Sequence, residues 1–309
     1  MSGAGTSSGR LTTLAFEAPR DLREMQALAS RLWPAGPHPG GLAWEWAIEQ
    51  MPEQVAVIRS DSALAGWVGF TAPDTLVALV DEEVSAAAES AVGWCLDCTA
   101  GRPLRIAVAP LQRGLLAALA AAGFTLDTEA EPWLGLWRPA GAAAIDLSDG
   151  YAIREVHPDE LDERVEVHRI AWLPAELPYA PSHRPNFPDD ATSRFERQHY
   201  ARVRETWPYD PALDLVVVAP DGRLAACCIA WLDPASKVAE IEPLGVVPSH
   251  RRRGLAGALC LEAARRVVAR GGHTLFINTG PMTAYPAPAG AYGKVGFKPV
   301  ERGRVYSLA

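Results

Sequence analysis

Apolar runs, each closed by a charged residue, proline or glycine, divide the chain into short strands and longer helices. In the second half, such runs predict strands at 151–156, 213–219, 224–231, 238–247 and 273–278. An apolar stripe recurring every fourth residue from Leu255 to Val267 predicts a helix over 253–270, which Gly271 and Gly272 end. A short helix over 289–295 and a last strand over 298–308 complete this half.

The first half has the same coarse order of elements. Its apolar runs predict strands at 55–59, 63–70, 75–80 and 104–108, with helices at 21–32, 43–50 and 111–122. A Gly-Phe pair follows a helix in each half, at 123–124 and at 296–297. This order predicts an α/β fold of two tandem domains, each a mixed, mainly antiparallel sheet flanked by helices.

The segment 139–150 is rich in small residues and has no amphipathic period, which is typical of a linker. We therefore expect one domain over 11–138 and a second over 151–309. Residues 1–10 are small and polar and are predicted to be a disordered tail.

Composition and charge limit the classes of partner that this chain can bind. The 309 residues carry a net charge of -8, and the concentrated basic run is Arg251 to Arg253, so a nucleic-acid partner is disfavoured. No apolar run is long enough for a membrane span, and the first residues lack a secretory apolar segment. We expect a cytoplasmic monomer or homodimer that acts on a small or cationic substrate and has no membrane partner.

The five cysteines include a C-x-x-C at Cys95 and Cys98 and an adjacent pair at Cys227 and Cys228. Both pairs lie in apolar runs, which favours core packing over zinc or redox chemistry. His183 and His199 have no ligand spacing, so no metal is expected.

The strongest chemical signal lies between a predicted strand and a predicted helix, over Val246 to Ala256. Unpaired amides and a positive dipole favour an anion at such a junction, and Gly254 lets the backbone approach it closely. The arginines at 251–253 add positive charge. The alternative is a basic first helical turn, which would oppose the helix dipole.

At this loop the sequence resembles the GNAT superfamily of N-acetyltransferases. Its V-x-P-x-x-[RQ]-x-x-G-x-[GA] motif is matched here by Val246, Pro248, Arg251, Gly254 and Ala256. A second family motif, Y-x-K-x-G-F, is matched over 292–297. The second half would then be an acyl-CoA-binding catalytic domain, and the first a degenerate one without the cofactor loop.

The resemblance also implies roles for individual residues. Acetyl-CoA would be the acyl donor, and its pyrophosphate would lie on the loop Arg251, Arg252, Arg253, Gly254, Leu255 and Ala256. The backbone of Val246 and Val247 would pair with pantetheine, and Tyr292 would protonate the leaving thiolate. Many members carry Asn where this chain has Tyr285, so Asn278 either supplies a polar contact instead or caps its strand.

Amine acylation needs a base, because a protonated amine has no lone pair for attack. Glu240 and Glu242 alternate along one predicted strand and therefore face the same side of the sheet. In histone-type and mycothiol-synthase-type relatives the base precedes the loop at a spacing that corresponds to Glu240, with Glu242 in reserve. The alternative is a solvated strand face.

The first half carries Asp81, Glu82 and Glu83 after its strand at 75–80, where the second half has arginines and glycine. Carboxylates there would repel a pyrophosphate. The chain thus resembles tandem GNAT proteins, of which mycothiol synthase is one.

In such a fold the acyl donor would enter a V-shaped gap between the strands that end at Val247 and Asn278. The irregular segment 172–209 would line the acceptor site. Its predicted contributors are the aromatic residues Trp172, Tyr179, Phe187 and Trp207, with Asp189 and Asp190 to attract an amine.

The resulting hypothesis is an N-acyltransferase that moves an acetyl group from acetyl-CoA to a primary amine of a small molecule or peptide. One alternative is mycothiol-synthase-type acetylation of a cysteinyl glycoside. Others are aminoacyl or peptidyl transfer, and a non-catalytic CoA-binding regulatory protein.

Overall fold

The computed structural model describes residues 11–99, 101–141, 143–147, 150–188, 190–279 and 283–309. The predicted disordered tail at 1–10 lies outside the described residues, as do positions 142, 148 and 149 of the predicted linker. The chain forms two compact units that are discontinuous in sequence. Unit 1 comprises Met1–Pro37, Met51–Pro132 and Arg302–Ala309, and unit 2 comprises His38–Gln50 and Trp133–Glu301.

This division differs from the linear boundary expected from the sequence. Residues 38–50 and 133–138 belong to unit 2, and the last eight residues, Arg302–Ala309, belong to unit 1. The physical reason is strand pairing and helix packing, because each displaced segment completes the sheet or covers the core of the unit that it joins.

Unit 1 contains a sheet of strands in the order of the chain. The strands are β1 (Leu11–Ala15), β2 (Val55–Ser60), β3 (Ala63–Ala72), β4 (Thr75–Val80) and β5 (Leu104–Val108). Neighbours pair antiparallel except β4 and β5, which are parallel. Its helices are α1 (Arg20–Leu32), α3 (Ala87–Thr99) and α4 (Arg113–Ala121).

The sheet of unit 1 is completed by the end of the chain. β13 (Lys298–Leu308) pairs antiparallel with β5, from Arg304↔Val108 to Leu308↔Leu104, and the two-residue β6 (Thr125–Leu126) also pairs with β13.

Unit 2 contains the strands that hold the candidate site. They are β7 (Trp133–Pro139), β8 (Ala152–Glu155), β9 (Asp214–Val218), β10 (Leu224–Leu232), β11 (Val238–Val246) and β12 (Thr274–Asn278), in the order β7-β12-β11-β10-β9-β8. β11 and β12 are parallel, and the other neighbours pair antiparallel. Every residue of β10 but the last is buried, which explains its unbroken apolar sequence.

The helices of unit 2 cover both faces of this sheet. They are α2 (Pro39–Ala47), α5 (Leu161–Ala171), α6 (Arg197–Glu205), α7 (Leu255–Ala269) and α8 (Ala287–Gly293). On one face, α7 buries its apolar stripe against β9, β10, β11 and β12. On the other, α2 packs with α5 and α6 over Ile229 and Trp231 of β10.

Local sequence explains where α2 starts. Pro39 occupies its first turn, and the Nδ1 atom of His38 accepts a hydrogen bond from the Gly40 amide at 3.0 Å. The helix ends before Glu49, whose φ is positive. The structure therefore starts this helix earlier than the predicted range of 43–50.

β11 is the strand at which the sheet opens. Its parallel pairing with β12 covers Val238↔Thr274 to Glu240↔Phe276 and goes no further among the described residues. On its other side, the register with β10 shifts between Cys228 and Ala230, opposite residues 241–244. The second half of β11 thus presents a free backbone edge.

Candidate functional site

A cleft of about 880 Å³ lies where the free edge of β11 meets the start of α7 and the short helix α8. Its floor is formed by Leu244, Gly245 and Val246 of β11, and the loop before α7 forms one end. The large volume and mainly apolar lining are those of a small-molecule site.

The loop before α7 leaves the first amides of that helix open. Gly254 precedes the helix with φ 80°, a left-handed conformation that favours glycine, and a Cβ at this position would meet nothing within 4 Å. Among the described residues no side chain caps these amides, and the first turn of α7 has no acidic residue. Because the helix dipole is uncompensated and the space is open, the residues fit a bound pyrophosphate.

The three arginines of the loop have different environments. The guanidinium of Arg251 donates to three carbonyl oxygens, those of Val246 at 3.1 Å, Glu176 at 2.6 Å and Ala171 at 3.1 Å. It therefore braces the loop against the end of α5. Arg252 is exposed and lines the cleft, with φ 63°, whereas Arg253 is exposed but does not line it.

Leu255 and Ala256 both line the cleft, as the motif suggests. Of the two valines expected to pair with pantetheine, Val246 lines it and Val247 does not. The Val247 amide donates to Ala225 at 2.9 Å and its carbonyl accepts from His250 at 2.9 Å, so its backbone is occupied within the chain. The edge that lines the cleft and is not paired with β12 instead runs through Leu244, Gly245 and Val246, where the Val246 carbonyl already accepts a hydrogen bond from Arg251.

Tyr292 lies on α8 and lines the cleft, although only 8% of its surface is exposed. Burial raises the pKa of its phenol well above the ordinary value, with further increases from Cys260 and Glu242. The phenol therefore keeps its proton at neutral pH. Tyr285 also lines the cleft, with its ring 5.1 Å from that of Tyr179.

Asn278 lies elsewhere in unit 2. Its Oδ1 accepts a hydrogen bond from the Trp133 indole at 3.1 Å, and its backbone pairs with Gly135 of β7. Among the described residues, Asn278 does not line the cleft or any other cavity of the candidate site. Asn278 was predicted either to contact the cofactor or to cap its strand, and this position agrees with the role at the strand end.

A second cavity of about 300 Å³, which we call the chamber, adjoins the cleft at Trp172, a residue that lines both. The chamber is lined by residues from α2, α5, β11 and the segment before α6: Trp44, Ile48, Gln50, His168, Trp172, Pro174, Thr192, Ser193, Arg194, Phe195, His199, Glu242 and Pro243. Glu242 is the carboxyl group in this lining.

Glu240 and Glu242 have unequal access to the chamber. Glu242 lines it and is half-buried, and burial together with the charges of Glu240 and Glu45 raises its pKa to about 8. Glu240 is only 2% exposed, with one oxygen 3.5 Å from His38 Nδ1 and 2.9 Å from where a Cβ at Gly41 would stand. Helix α2 therefore covers Glu240 and leaves Glu242 open.

A third carboxyl group, Glu45, belongs to the same cluster. It lies four residues after Gly41 and thus on the face of α2 that contacts Glu240. Surrounding protein and the charge of Glu240 raise its pKa to about 7, but Glu45 is exposed at the surface, so solvent screens this effect.

The predicted segment 172–209 supplies seven of the thirteen residues that line the chamber. Sequence reasoning missed the contributions of Trp44, Ile48 and Gln50 from the first half of the chain and of His168 from α5. Of the aromatic residues predicted to line the acceptor site, only Trp172 lines the chamber. The ring of Tyr179 packs against those of Phe187 and Tyr285. Trp207 lines neither cavity among the described residues. Asp189 lies outside the described residues, and Asp190 does not line the chamber.

In unit 1 the carboxylates after β4 do not begin a helix, because α3 starts only at Ala87. Asp81 instead pairs with Arg31 at 2.7 Å. Glu82 accepts the Gly114 amide at 2.8 Å, in the first turn of α4. The acidic residues thus satisfy partners within unit 1, as the dipole argument requires, but at a different helix.

The cysteines follow the packing prediction with one exception. Cys95, Cys227 and Cys228 are buried, whereas Cys98 is exposed because the buried face of α3 passes through Cys95 and Thr99. No group of three or more His, Cys, Asp or Glu side chains among the described residues is placed to hold a metal ion. In the same part of the chain, no helix combines the length and hydropathy that crossing a membrane requires.

Sequence comparison supports the resemblance of the second half of the chain to GNAT acetyltransferases. Residues 162–297 match the profile of the Acetyltransferase (GNAT) family. Mycothiol acetyltransferases of Kineococcus radiotolerans and Clavibacter michiganensis subsp. michiganensis are 40% and 43% identical over 70 residues. These matches span 23% of this chain and 22% of each relative.

Solved structures extend the likeness to nearly the whole chain. A tandem GNAT protein from the clavulanic acid biosynthesis pathway aligns with a TM-score of 0.54 and 17% identity, covering 97% of this chain and 98% of its own. A GNAT family acetyltransferase from Colwellia psychrerythraea has a TM-score of 0.57 and 14% identity, covering 96% and 98%. A GCN5-related N-acetyltransferase from Sphaerobacter thermophilus gives 0.52 and 18%, covering 96% and 95%. At these identities the likeness concerns the fold, and it confirms the predicted tandem arrangement.

Proposed function

Because residues 162–297 belong to the GNAT family of acetyltransferases, we propose that the protein transfers an acetyl group from acetyl-CoA to a primary amine. The observation that carries this proposal is the junction of cleft and chamber. Trp172 lines both cavities, Tyr292 lines the cleft and Glu242 lines the chamber. The two ionisable groups are near enough for the charge of Glu242 to raise the pKa of Tyr292.

In this proposal acetyl-CoA supplies an activated thioester, and the open amides around Gly254 and the side chain of Arg252 bind its phosphates. The free edge of β11 from Leu244 to Val246 orients the pantetheine arm by backbone hydrogen bonds. By holding the donor in the cleft, these residues would keep its thioester near an acceptor bound in the chamber, and such proximity speeds the transfer.

The proton transfers follow from the two pKa shifts. Glu242 accepts the proton that the amine must lose before its nitrogen bonds to the acyl carbon. The Tyr292 phenol, which stays protonated at neutral pH, donates its proton to the sulfur as the carbon–sulfur bond breaks. The phenolate is then reprotonated by the second proton, which the nitrogen releases as the amide forms. We thus assign the base to Glu242 rather than Glu240, because Glu240 is covered by α2 and has no access to the chamber.

The test is release of free CoA thiol from acetyl-CoA in the presence of a panel of primary amines. Glu242→Gln and Tyr292→Phe are expected to lower kcat by about 10² or more, as for positioned proton-transfer groups, while the Kd for CoA stays within about twofold. Glu240→Gln is the matched control and is expected to retain most of the activity.

Two outcomes would count against this assignment. An inactive Glu240→Gln with an active Glu242→Gln would return the base to Glu240. CoA binding without thiol release for any amine would favour the non-catalytic regulatory protein.

A second candidate acceptor is a cysteinyl glycoside of the mycothiol type. It is favoured by the identity of 40% and 43% to two mycothiol acetyltransferases, over a match that spans 22% of their length. The same thiol-release assay with such a glycoside tests it.

A further inference from the structure

The chamber walls are unusually rich in ring systems. The centroids of His168 and Phe195 are 4.1 Å apart, and Trp44 lies 5.5 Å from His168 and 5.6 Å from Phe195. Trp172 stacks on the other side of His168 at 6.0 Å. Trp44, His168 and Phe195 are each at most 7% exposed, so packing holds these rings in place.

The imidazole adds no positive charge to this wall. Burial lowers the pKa of His168 well below its ordinary value, and the nearby charges of Arg164 and Arg169 lower it further. The Nδ1 atom of His168 is buried and has no hydrogen-bond partner. His168 therefore acts as a neutral aromatic wall that does not repel a cation.

Among the described residues, no cation is paired with the acidic end of the chamber; Arg194, which also lines the chamber, is exposed. Glu242 lines it, the charge of Glu240 raises the pKa of Glu45, and the charges of Glu240 and Glu45 raise the pKa of Glu242. Among the described residues no lysine or arginine pairs with any of these three carboxyl groups, and one oxygen of Glu240 is buried without a hydrogen-bond partner. A ligand ammonium would supply the missing positive charge.

Size and polarity restrict the remainder of such a ligand. A volume of about 300 Å³ is at the lower end of small-molecule sites, so the acceptor is small. The other side chains in the lining with hydroxyl, amide or guanidinium groups are those of Gln50, Thr192, Ser193 and Arg194. Gln50, Thr192 and Arg194 are exposed, and Ser193 is partly exposed. Two buried polar atoms of the lining residues, His168 Nδ1 and Trp172 Nε1, have no hydrogen-bond partner among the described residues. They are too few for every hydroxyl of a polyhydroxylated body, and each hydroxyl left unpaired against the rings is costly.

Resting on the proposed transfer to an amine, we infer that the acceptor is a small primary amine with an apolar, preferably aromatic, body. Its ammonium faces Glu242, and its body lies among the rings of Trp44, Trp172 and Phe195. Helix α2, which comes from the first half of the chain, is then the element that sets acceptor specificity.

The experiment measures steady-state thiol release with acetyl-CoA and 2-phenylethylamine, n-butylamine, glucosamine or a cysteinyl glycoside as acceptor. We expect kcat/KM to be highest for 2-phenylethylamine, by about tenfold or more over the two sugars, the ratio that roughly 1.4 kcal/mol of ring contact gives. Trp44→Ala should raise the KM for 2-phenylethylamine by about tenfold and leave the KM for acetyl-CoA within twofold.

Trp46→Ala is the matched control, because Trp46 lies on the same helix and does not line the chamber, and it should leave both constants unchanged. Trp44→Leu serves as a second variant that preserves bulk in the core, and it should shift the preference from 2-phenylethylamine towards n-butylamine.

Faster release with glucosamine or the cysteinyl glycoside than with 2-phenylethylamine would overturn this inference and leave the proposed transferase activity standing. Unchanged acceptor KM values in both Trp44 variants would also overturn it. No release with any amine, despite CoA binding, would instead overturn the proposed function on which the inference rests.

Discussion

The two units use the same strand-to-helix region in opposite ways. After β11 in unit 2, the chain offers Arg252, Gly254 and uncapped helical amides to a cleft of about 880 Å³. After β4 in unit 1, Asp81 and Glu82 fill that region with negative charge and bind Arg31 and the Gly114 amide. The cavity found within the core of unit 1 measures about 10 Å³ and is wholly apolar in its lining.

This contrast indicates that the architecture does not depend on a ligand site after this strand. In unit 1, carboxylates of the protein itself follow β4 and pair with Arg31 and with an amide in the first turn of α4. The sheet order and the helices need no ligand, because their stability comes from the apolar core. Binding is therefore a property of a few loop residues, and folding is a property of the whole pattern.

The largest expected effect comes from separating the halves at the linker. A fragment of residues 150–309 lacks β7, which pairs with β12 from Thr274↔Pro139 to Asn278↔Gly135, and lacks α2, which buries Ala43, Trp44 and Ala47. We expect this fragment to lose cooperative thermal unfolding and all transferase activity. As a control, cleavage of the full chain at an inserted protease site within 143–147 should leave both pieces associated and active, and an active, equally heat-stable fragment would contradict the prediction.

The contrast between the loops predicts one CoA site per chain. Gly254→Glu should abolish binding in calorimetric titration, because φ 80° strains any L side chain and the new carboxylate repels phosphate. Glu82→Gln is the control in unit 1. It should leave the stoichiometry at one and lower the free energy of unfolding by about 0.3–1 kcal/mol, through loss of the charge at α4. Two equivalent CoA sites would refute the comparison.

Smaller effects are expected from substituting Arg251 and Arg252, the first on stability and the second on CoA binding. Arg251→Ala removes three hydrogen bonds to carbonyl oxygens and should lower the free energy of unfolding by on the order of 2 kcal/mol. Arg252→Ala should leave Tm unchanged and weaken CoA binding by about tenfold, with a reduced dependence on salt. Thermal melts and titrations at two ionic strengths distinguish them, and a lowered Tm only in Arg252→Ala would reverse the assignment.

The smallest effect concerns pH. Because the base must be deprotonated, the transfer rate should rise with pH through the pKa of Glu242, about 8. Glu45→Gln removes a neighbouring negative charge and should move this limb of the pH–kcat/KM profile to lower pH. Glu49→Gln is the control, because Glu49 is paired with Arg202 at 2.6 Å, and it should leave the profile in place. A limb that moves upward in Glu45→Gln would contradict the assignment.

Much of the fold and of the cofactor end of the site could be predicted from the sequence. The loop around Gly254 and the tyrosine at 292 are short motifs whose geometry depends on residues next to them in the chain. Strand and helix positions followed from apolar periodicity for the same reason. Boundaries moved where capping decided them, as at α2, where His38 and Pro39 begin the helix before its apolar stripe.

By itself, the sequence determined which residues form the loop at the end of the cleft, because the start of a helix is made of consecutive residues. It also narrowed the base to Glu240 or Glu242, since alternation places both on one face of a strand. Only the tertiary structure shows which of the two lines the chamber, because helix α2, about 200 residues earlier in the chain, packs over Glu240 and leaves Glu242 facing the chamber. The same packing brings Trp44 to Phe195 and His168, and contacts between such distant segments depend on the complementary shapes of folded surfaces, which no local pattern encodes.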